Sequence, residues 1–227
     1  MLEEYKKHAE ERSSQGIPAL PLNAEQVAKL VELLKSPPVG EEKFILDLIT
    51  NRTPAGVDPA AYVKAAFLTD VAKGKASSPL IDKLLATELL GTMLGGYNVE
   101  SLINLLDDKD VGAIAADGLC KTLLMFNAKH DVIELAKKNE NAKRVIESWS
   151  AAEWFTGRPE LPEMIKAIVF RVDGEINTDD LSPAPDAPSR PDIPLHALAM
   201  LKKTMQDPIA TIDKLKESGL PVVFVGD

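Results

Sequence analysis

The sequence is poor in cysteine and aromatic residues and lacks long apolar runs, and each shortage excludes a class of protein. Cys120 is the only cysteine in 227 residues, so the chain cannot form an internal disulfide, which favours a cytoplasmic protein. Aromatic residues make up 5%, too few to suggest a stacking surface for single-stranded nucleic acid. No apolar run approaches the roughly 20 residues that span a bilayer, and residues 1–7 lack the apolar stretch of a signal peptide. We therefore predict no membrane partner.

Positive charge is also scarce. The 26 basic residues are outnumbered by 35 acidic ones, which gives a formal net charge of -9. A negative field opposes general binding to a phosphate backbone, so the composition argues against a nucleic-acid-binding protein. The remaining composition, with 45% hydrophobic residues, is that of a globular protein long enough for two modest domains.

Proline marks a boundary within the chain. No proline occurs between Pro79 and Pro159, whereas eight follow Pro159. A change in composition of this kind is typical of a domain boundary. We predict a first domain over residues 1–157 and a second over residues 158–227.

The first part has the pattern of consecutive short helices. One apolar face has helical spacing and is formed by Val27, Leu30, Val31 and Leu34. Asn23 with Gln26 predicts a capping box at the start of that helix, and Asp58-Pro59 and Ser78-Pro79 predict two further helix starts. Short helices with short loops favour an irregular stack of antiparallel helix pairs, a HEAT-like repeat.

The second part has the pattern of an α/β domain. Residues 164–172 and 221–225 are rich in strand formers, and the second run is apolar enough for a buried strand. Helices are predicted over residues 195–201 and 209–218, after a long polar loop at 173–194. A buried strand with no further element after it indicates an incomplete domain.

The polar loop is the candidate binding site. It holds residues that form tight turns, namely Asn177, Thr178, Asp179, Asp180 and Ser182. Prolines stiffen it around Ser189 and Arg190, and a guanidinium held by rigid neighbours suits a carboxylate ligand. His196 lies at the predicted helix start and could shape the same site. The alternative is a surface loop in which Arg190 pairs with Asp186 or Asp192.

Metal chemistry has little support in the sequence. The histidines His8, His130 and His196 are far apart and lack the spacing of metal ligands. Cys120 has apolar helical neighbours and is predicted to be a core residue. We predict no metal site and no catalytic residue within the chain.

Two segments carry a resemblance to a known family. Residues 177–187, Asn-Thr-Asp-Asp-Leu-Ser-Pro-Ala-Pro-Asp-Ala, and the segment Ser189-Arg-Pro-Asp-Ile-Pro-Leu-His-Ala-Leu-Ala-Met are very similar to the swivel domain of aconitases of the B type. Leu89-Leu-Gly-Thr-Met and Gly95-Gly-Tyr-Asn resemble the HEAT-like domain of that family. The resemblance extends over essentially the whole chain, although Pro188 stands where the family has tryptophan.

The resemblance implies an all-α HEAT-like domain over residues 1–157 and an incomplete α/β (β/β/α) swivel domain over residues 158–227. It implies that Arg190 binds a carboxylate of citrate or isocitrate, with the other loop residues and His196 in support. The serine base and the cysteines of a [4Fe–4S] cluster would come from segments that this chain does not contain. The chain itself is therefore expected to hold no cofactor.

The function implied is that of the N-terminal part of an aconitate hydratase, which interconverts citrate and isocitrate through cis-aconitate in the tricarboxylic acid cycle. 2-Methylisocitrate is left open as a further substrate, and the isolated chain is expected to be inactive. The helical domain could support a homodimer, and messenger RNA is a weakly supported partner at this net charge. The alternative function is a stand-alone helical-repeat module that binds protein or RNA without catalysis.

Overall fold

The computed structural model describes residues 1–122, 125 and 127–226, and in it the chain divides into two compact units. The helical unit consists of residues 1–5 and 20–159. The mixed unit consists of residues 6–19 and 160–227. The N-terminal segment 6–19 thus belongs to the mixed unit, although the proline pattern placed a single boundary near residue 157.

Short helices make up the structure before residue 160. In chain order they are α1 (Leu2–Ser13), α2 (Ala24–Lys35), α3 (Glu42–Asn51), α4 (Pro59–Ala72), α5 (Lys83–Gly91), α6 (Val99–Leu105), α7 (Gly112–Lys121), α8 (Ala128–Ala136), α9 (Glu140–Ser150) and α10 (Glu153–Thr156). Helix α2 packs against α3 and α4, and the contacts continue from α4 to α5, α5 to α7 and α7 to α9. Helices α6 and α8 pack on each other and on α7 and α9 respectively. This arrangement confirms the predicted helical-repeat architecture.

The predicted capping box of α2 is confirmed. The Asn23 side chain accepts from the Gln26 amide at 2.9 Å, and the Gln26 side chain accepts from the Asn23 amide at 3.0 Å. Asp58 caps α4 by accepting from the Ala60 amide at 2.7 Å, with Pro59 in the first turn as predicted. These side chains satisfy amide groups that have no partner within the helix.

The predicted helix start at Ser78-Pro79 is wrong. Helix α5 begins at Lys83, after Asp82, whose side chain accepts from the Leu85 amide at 2.8 Å. The Ser78 hydroxyl instead donates to the Leu34 carbonyl at 2.6 Å. Ser78 thus satisfies a carbonyl group at the end of α2, and Asp82 takes the capping role at the start of α5.

The core of the helical unit is aliphatic. Its fully buried large side chains include Leu30, Leu34, Ile45, Leu48, Ile49, Leu68, Leu90, Leu102 and Leu105. Each contributes about 1.5–3 kcal/mol through removal of its apolar surface from water. Two glycines bring α5 and α7 into backbone contact, since a Cβ at Gly118 would lie 2.8 Å from the Gly91 Cα. No helix in the described part of the chain has the length and apolar character needed to cross a bilayer.

The mixed unit contains a two-stranded parallel sheet. Strand β1 (Ile168–Arg171) pairs with β2 (Val222–Val225), with Ile168 opposite Val222. Parallel strands need a long crossover, and here it carries α11 (Thr178–Leu181), a 3-10 turn (Ala184–Asp186), α12 (Ile193–Ala197) and α13 (Pro208–Lys216). Helix α13 packs against both strands. A helical repeat followed by the start of an α/β domain is the predicted fold class, and it is confirmed.

The predicted strand over residues 164–172 is too long. Met164 and Ile165 lie outside β1 and are 75% and 62% exposed. Strand β2 has four residues, so only four residues of the first run find a pairing partner. The expectation of a buried second strand is also wrong, because Val223, Phe224 and Val225 are 45–46% exposed.

The predicted helix over residues 195–201 is also too long at its C-terminal end. Helix α12 ends at Ala197, and Leu201 adopts a φ of 56° that a helix does not allow. Leu201 is nevertheless buried, in a small core with Phe170, Val172 and Ile212. Its apolar character therefore reflects burial of a turn rather than a further helical residue.

Candidate functional site

The first turn of the polar loop is built by reciprocal caps. Asn177 precedes α11, and its side chain accepts from the amides of Asp179 at 2.8 Å and Asp180 at 3.2 Å. The Asp180 carboxylate accepts from the Asn177 amide at 3.0 Å, which completes a capping box. The Thr178 carbonyl accepts from the Ser182 amide at 2.8 Å. These four predicted loop residues, with Ser182, thus form the local scaffold of α11.

The loop is tied to the core and to α12. The Asp180 carbonyl accepts from the amide of buried Leu201 at 2.7 Å. The Ser182 hydroxyl lies 3.0 Å from Nε2 of His196 on α12, and which group donates depends on the ring nitrogen that carries the proton. Ser182 and His196, which are 14 residues apart in sequence, therefore fix α11 against α12.

Arg190 is half-buried and held in place by its neighbours. Its Nη1 donates to the Leu195 carbonyl at 3.2 Å, and its Nε lies 3.8 Å from Oδ1 of Asp186. A guanidinium has five N–H donors. Among the described residues, no group accepts a hydrogen bond from Nη2 of Arg190. One edge of the group is therefore oriented by protein contacts while another remains available to a ligand. Ser189 supports the turn by donating its hydroxyl hydrogen to the Asp186 carbonyl at 3.1 Å.

Asp186 is paired mainly with a lysine that the sequence did not suggest. Lys202 Nζ lies 2.5 Å from the Asp186 carboxylate. That hydrogen bond lowers the pKa of Asp186 and outweighs the opposing effect of burial, and the positive charges of Lys202 and Arg190 act in the same direction as the hydrogen bond. Asp186 therefore stays ionised near neutral pH. Because Lys202 engages this carboxylate at the shorter distance, Arg190 is less strongly bound by it.

The second predicted partner of Arg190 pairs elsewhere. Asp192 caps α12 by accepting from the Leu195 amide at 2.7 Å, and its other carboxylate oxygen accepts from Arg12. The alternative in which Arg190 is tied to Asp192 is therefore not the arrangement seen. Aspartate two residues before Pro194 could have indicated the cap, but nothing in the sequence indicates Arg12, which is 180 residues away.

A surface cavity of about 450 Å³ opens at this loop. It is lined by Leu181, Ser182, Ala187, Arg190, Pro191, Asp192, Ile193, His196 and Ala197. Apolar walls with a few convergent polar groups are typical of small-molecule sites. Of the predicted residues, Arg190, Ser182 and His196 line the cavity, whereas Asn177–Asp180 and Ser189 support it from outside the lining.

The residues of this chain do not fit an iron–sulfur cluster. Such clusters are held by several cysteine thiolates, and Cys120, half-buried on α7, is the single thiol of the sequence. In the ranges 1–122 and 127–226, with residue 125, no three His, Cys, Asp or Glu side chains form a group that could hold a metal ion.

Two family models match the chain, and together they cover most of it. Residues 4–155 match the model described as the aconitate B N-terminal domain. Residues 167–227 match the model described as the aconitate hydratase 2 N-terminus. The second match includes the whole polar loop with Arg190.

Curated relatives align with the chain over its full length. Aconitate hydratase B of Pseudomonas aeruginosa is 60% identical over 238 aligned residues, and that of Escherichia coli is 58% identical over the same number. Aconitate hydratase B of a Synechocystis species is 54% identical over 229. All three alignments cover 100% of this chain, which spans 27%, 28% and 26% of the respective relatives.

Proposed function

The chain belongs to the aconitase B family, and from this we propose that it forms the N-terminal part of an aconitate hydratase that interconverts citrate and isocitrate through cis-aconitate. Because the chain spans about a quarter of the length of its curated relatives, catalysis would belong to the larger protein. The observation that carries the proposal for the site is the position of Arg190, oriented at the wall of a cavity with its Nη2 group directed to no described acceptor.

The proposed role of Arg190 is to bind and orient a carboxylate of the substrate. A guanidinium presents parallel N–H groups that match the two oxygens of a carboxylate. The Leu195 carbonyl fixes one side of the group before the substrate arrives, so less rotational freedom is lost on binding. Lys202 balances the charge of Asp186, which would otherwise repel an anionic substrate near Arg190.

Ser182 and His196 have a supporting role in this proposal. Their contact at 3.0 Å places a hydroxyl and an imidazole in the same cavity as Arg190. Both groups can donate to an anionic or hydroxylated ligand. Neither is proposed to act as the base of the reaction.

The remaining parts of the reaction are proposed to come from outside this chain. In the larger enzyme a [4Fe–4S] cluster would supply a Lewis acid, bound by cysteines beyond these 227 residues. The half-exposed apolar side chains of β2 support contact with further chain, since such a strand is more commonly covered. 2-Methylisocitrate, a similar tricarboxylate, is proposed as an additional substrate.

The test is Arg190→Ala in the full-length enzyme that contains this chain. Loss of a charge-assisted contact to substrate is expected to lower kcat/KM by roughly 10- to 150-fold, the equivalent of about 1.5–3 kcal/mol. Arg190→Lys should recover part of this loss, because one ammonium cannot replace a planar pair of donors. The matched control is Arg144→Ala, which removes an exposed arginine paired with Asp117 on the helical unit.

An unchanged kcat/KM in Arg190→Ala would remove this residue from the substrate site. The 227-residue chain alone is expected not to hydrate cis-aconitate, even after treatment with iron and sulfide. Measurable turnover by the isolated chain would contradict the proposal that the remaining catalytic groups come from outside it.

A second candidate function, protein interaction, has one specific observation in its favour. On the helical unit, Tyr62 and Tyr97 are 59% and 41% exposed and stack edge to face at 5.1 Å, beside a cavity of about 360 Å³. Tyrosine is enriched at protein interfaces. We propose that the helical unit supports a homodimer, which sedimentation of wild type and Tyr97→Ala would test. Messenger RNA binding is expected to be weak at a net charge of -9, as a gel-shift assay over a salt series would show.

A further inference from the structure

The N-terminal helix reaches the candidate substrate site through one ion pair. Arg12 lies in the last turn of α1 and donates from Nη2 to Oδ2 of Asp192. The two side chains are 11% and 21% exposed, so the pair is largely shielded from water. Both residues belong to the mixed unit. A shielded pair is screened less than the exposed pairs elsewhere on the chain, and its geometry is correspondingly better defined.

Arg12 is itself held in position. Its Nε donates to the Pro18 carbonyl at 2.5 Å, and its own carbonyl accepts from the Ile17 amide at 3.2 Å. Gly16 makes this tight reversal possible with a φ of 72°. Ile17 is 5% exposed, which anchors the turn. The guanidinium therefore bridges two acceptors from a fixed backbone rather than from a free side chain.

A continuous series of contacts runs from Arg12 to Arg190. Oδ2 of Asp192 accepts from Arg12, and Oδ1 of the same carboxylate accepts from the Leu195 amide at 2.7 Å. The Leu195 carbonyl accepts from Nη1 of Arg190 at 3.2 Å. Asp192 is also only two residues from Arg190 along the chain. Arg12 thus fixes the carboxylate that fixes the first turn of α12, and that turn orients the Arg190 guanidinium.

We infer that Arg12 is a positioning residue for the carboxylate-binding arginine, so that the N-terminal helix is a structural part of the substrate site. The inference rests on the proposed role of Arg190. Helix α12 has only five residues and Pro194 in its first turn, so it forms few backbone hydrogen bonds of its own. Its orientation depends on the Asp192 cap, and the Asp192 side chain depends on Arg12 for its second contact.

The kinetic test uses the full-length enzyme. Arg12→Ala is expected to raise KM for citrate about 10-fold while kcat changes less than about twofold, because it loosens a binding group and leaves the reacting groups in place. Arg12→Lys should lie between, since one ammonium cannot hold the Pro18 carbonyl and Asp192 in the same fork geometry. Arg144→Ala again serves as the control for loss of an arginine on the surface.

A second variant separates positioning from loss of folding. Asp192→Asn keeps a good N-cap oxygen for the Leu195 amide but removes the charge that pairs with Arg12. It is expected to raise KM to a similar extent, and the double variant Arg12→Ala/Asp192→Asn should raise it little further, because both changes break one contact. Fully additive effects would overturn the inference.

Amide hydrogen exchange on the 227-residue chain gives a readout that does not depend on catalysis. Arg12→Ala is expected to speed exchange at Leu195 about 10-fold and to leave Leu68 of the helical unit unchanged. If Arg190→Ala lowers kcat/KM but Arg12→Ala changes neither KM nor exchange, the inference fails and the proposed function stands. If Arg190→Ala leaves kcat/KM unchanged, the proposed role of Arg190 fails, and the inference about substrate fails with it whatever the exchange rates show.

Discussion

The helical unit and the mixed unit bury very different amounts of apolar surface. The helical unit has an extensive core of fully buried leucine and isoleucine side chains on consecutive helices. Among its described residues, the mixed unit has a much smaller buried cluster, centred on Phe170, Val172, Leu201 and Ile212, against which partly buried side chains such as Met200 and Leu215 pack. A small core supplies little net stability once the entropy of the ordered chain is subtracted. The two units should therefore respond differently to the same kind of substitution.

Around the candidate site, the mixed unit is held by polar contacts in addition to its small apolar core. Asn177 caps α11, Asp192 caps α12, and Lys202 and Arg12 each pair with an aspartate of the loop. Contacts of this kind are directional, so they define the position of a side chain such as Arg190 more sharply than aliphatic packing does. The helical unit therefore contributes most of the buried apolar surface, whereas polar contacts in the mixed unit position the side chains of the candidate site.

The largest effect is expected from truncation of the small core. Phe170 is 2% exposed and stacks on Phe224 with ring centroids 5.0 Å apart. Phe170→Ala is expected to cost about 3–5 kcal/mol and to unfold the mixed unit, because few other buried side chains remain. Hydrogen exchange should then show loss of protection at β1 and α13 with protection retained at α4.

The matched substitution in the helical unit is Leu68→Ala on α4. It should cost a comparable 2–5 kcal/mol, yet the unit should stay folded, because many other buried side chains remain. Retention of mixed-unit protection in Phe170→Ala would show that polar contacts alone hold this unit. Loss of α4 protection in the same variant would show that the units unfold together.

A smaller effect on stability is expected at the close backbone contact between α5 and α7 in the helical unit. A Cβ at Gly118 would lie 2.8 Å from the Gly91 Cα and 3.3 Å from a Leu102 methyl group, so Gly118→Ala must separate α5 from α7. We expect a cost of about 1–3 kcal/mol from this overpacking, measured by urea unfolding. Ala113→Ser, which is exposed on the same helix, should change stability by less than about 0.5 kcal/mol.

Local chemistry made some features of both units predictable from the sequence. The capping box at Asn23 and the proline-initiated helix after Asp58 depend only on neighbouring residues, and both are confirmed. The ends of β1 were not predictable, because strand length depends on how many residues a distant partner offers. Ser78 was misassigned because its hydroxyl serves the distant carbonyl of Leu34.

In the candidate site, too, some residues were predictable from the sequence and others were not. The turn-forming residues Asn177 and Asp180 were recognisable from their type, and the resemblance to a known family indicated Arg190. Lys202 and Arg12 were not, because their contacts with Asp186 and Asp192 exist only once the chain has folded. Residue types predict local caps, whereas long-range ion pairs leave no periodic signal.

Lys64 is a charged residue buried in the helical unit. Lys64 on α4 is 3% exposed, and its Nζ donates to the Thr50 carbonyl at a long 3.4 Å. Burial lowers the pKa of Lys64 to about 8, because the ammonium is poorly solvated there. Lys64→Met is expected to raise the free energy of unfolding at pH 7 by about 2 kcal/mol, as measured by urea unfolding.

The pH dependence of the free energy of unfolding provides a second test of the Lys64 prediction. Below about pH 8 lysine is charged in both states, and the folded state carries the full cost of burial. Between about pH 8 and 10.5 the unfolded chain binds the proton more tightly, so stability rises with pH by up to about 1.4 kcal/mol per unit. Lys64→Met should lack this rise, whereas the exposed control Lys29→Met should keep it. A parallel rise in both variants would assign the effect to other groups.

The smallest effect is expected at the pair of Lys202 and Asp186 in the mixed unit, in which the lysine is largely exposed. Lys202 lowers the pKa of Asp186, so the stabilisation from this pair is present above the ordinary pKa of aspartate and is lost as pH falls through the lowered value. Lys202→Ala should raise the pKa of Asp186, measured by NMR titration of its carboxyl carbon, with little change in stability at pH 7. It should also leave Asp186 free to draw Arg190 closer than 3.8 Å. Lys216→Ala, which removes the partner of Asp213, should leave both quantities unchanged. An unaltered Asp186 pKa in Lys202→Ala would mean that Arg190 alone neutralises this carboxylate, and Lys202 would then have no part in the charge balance of the site.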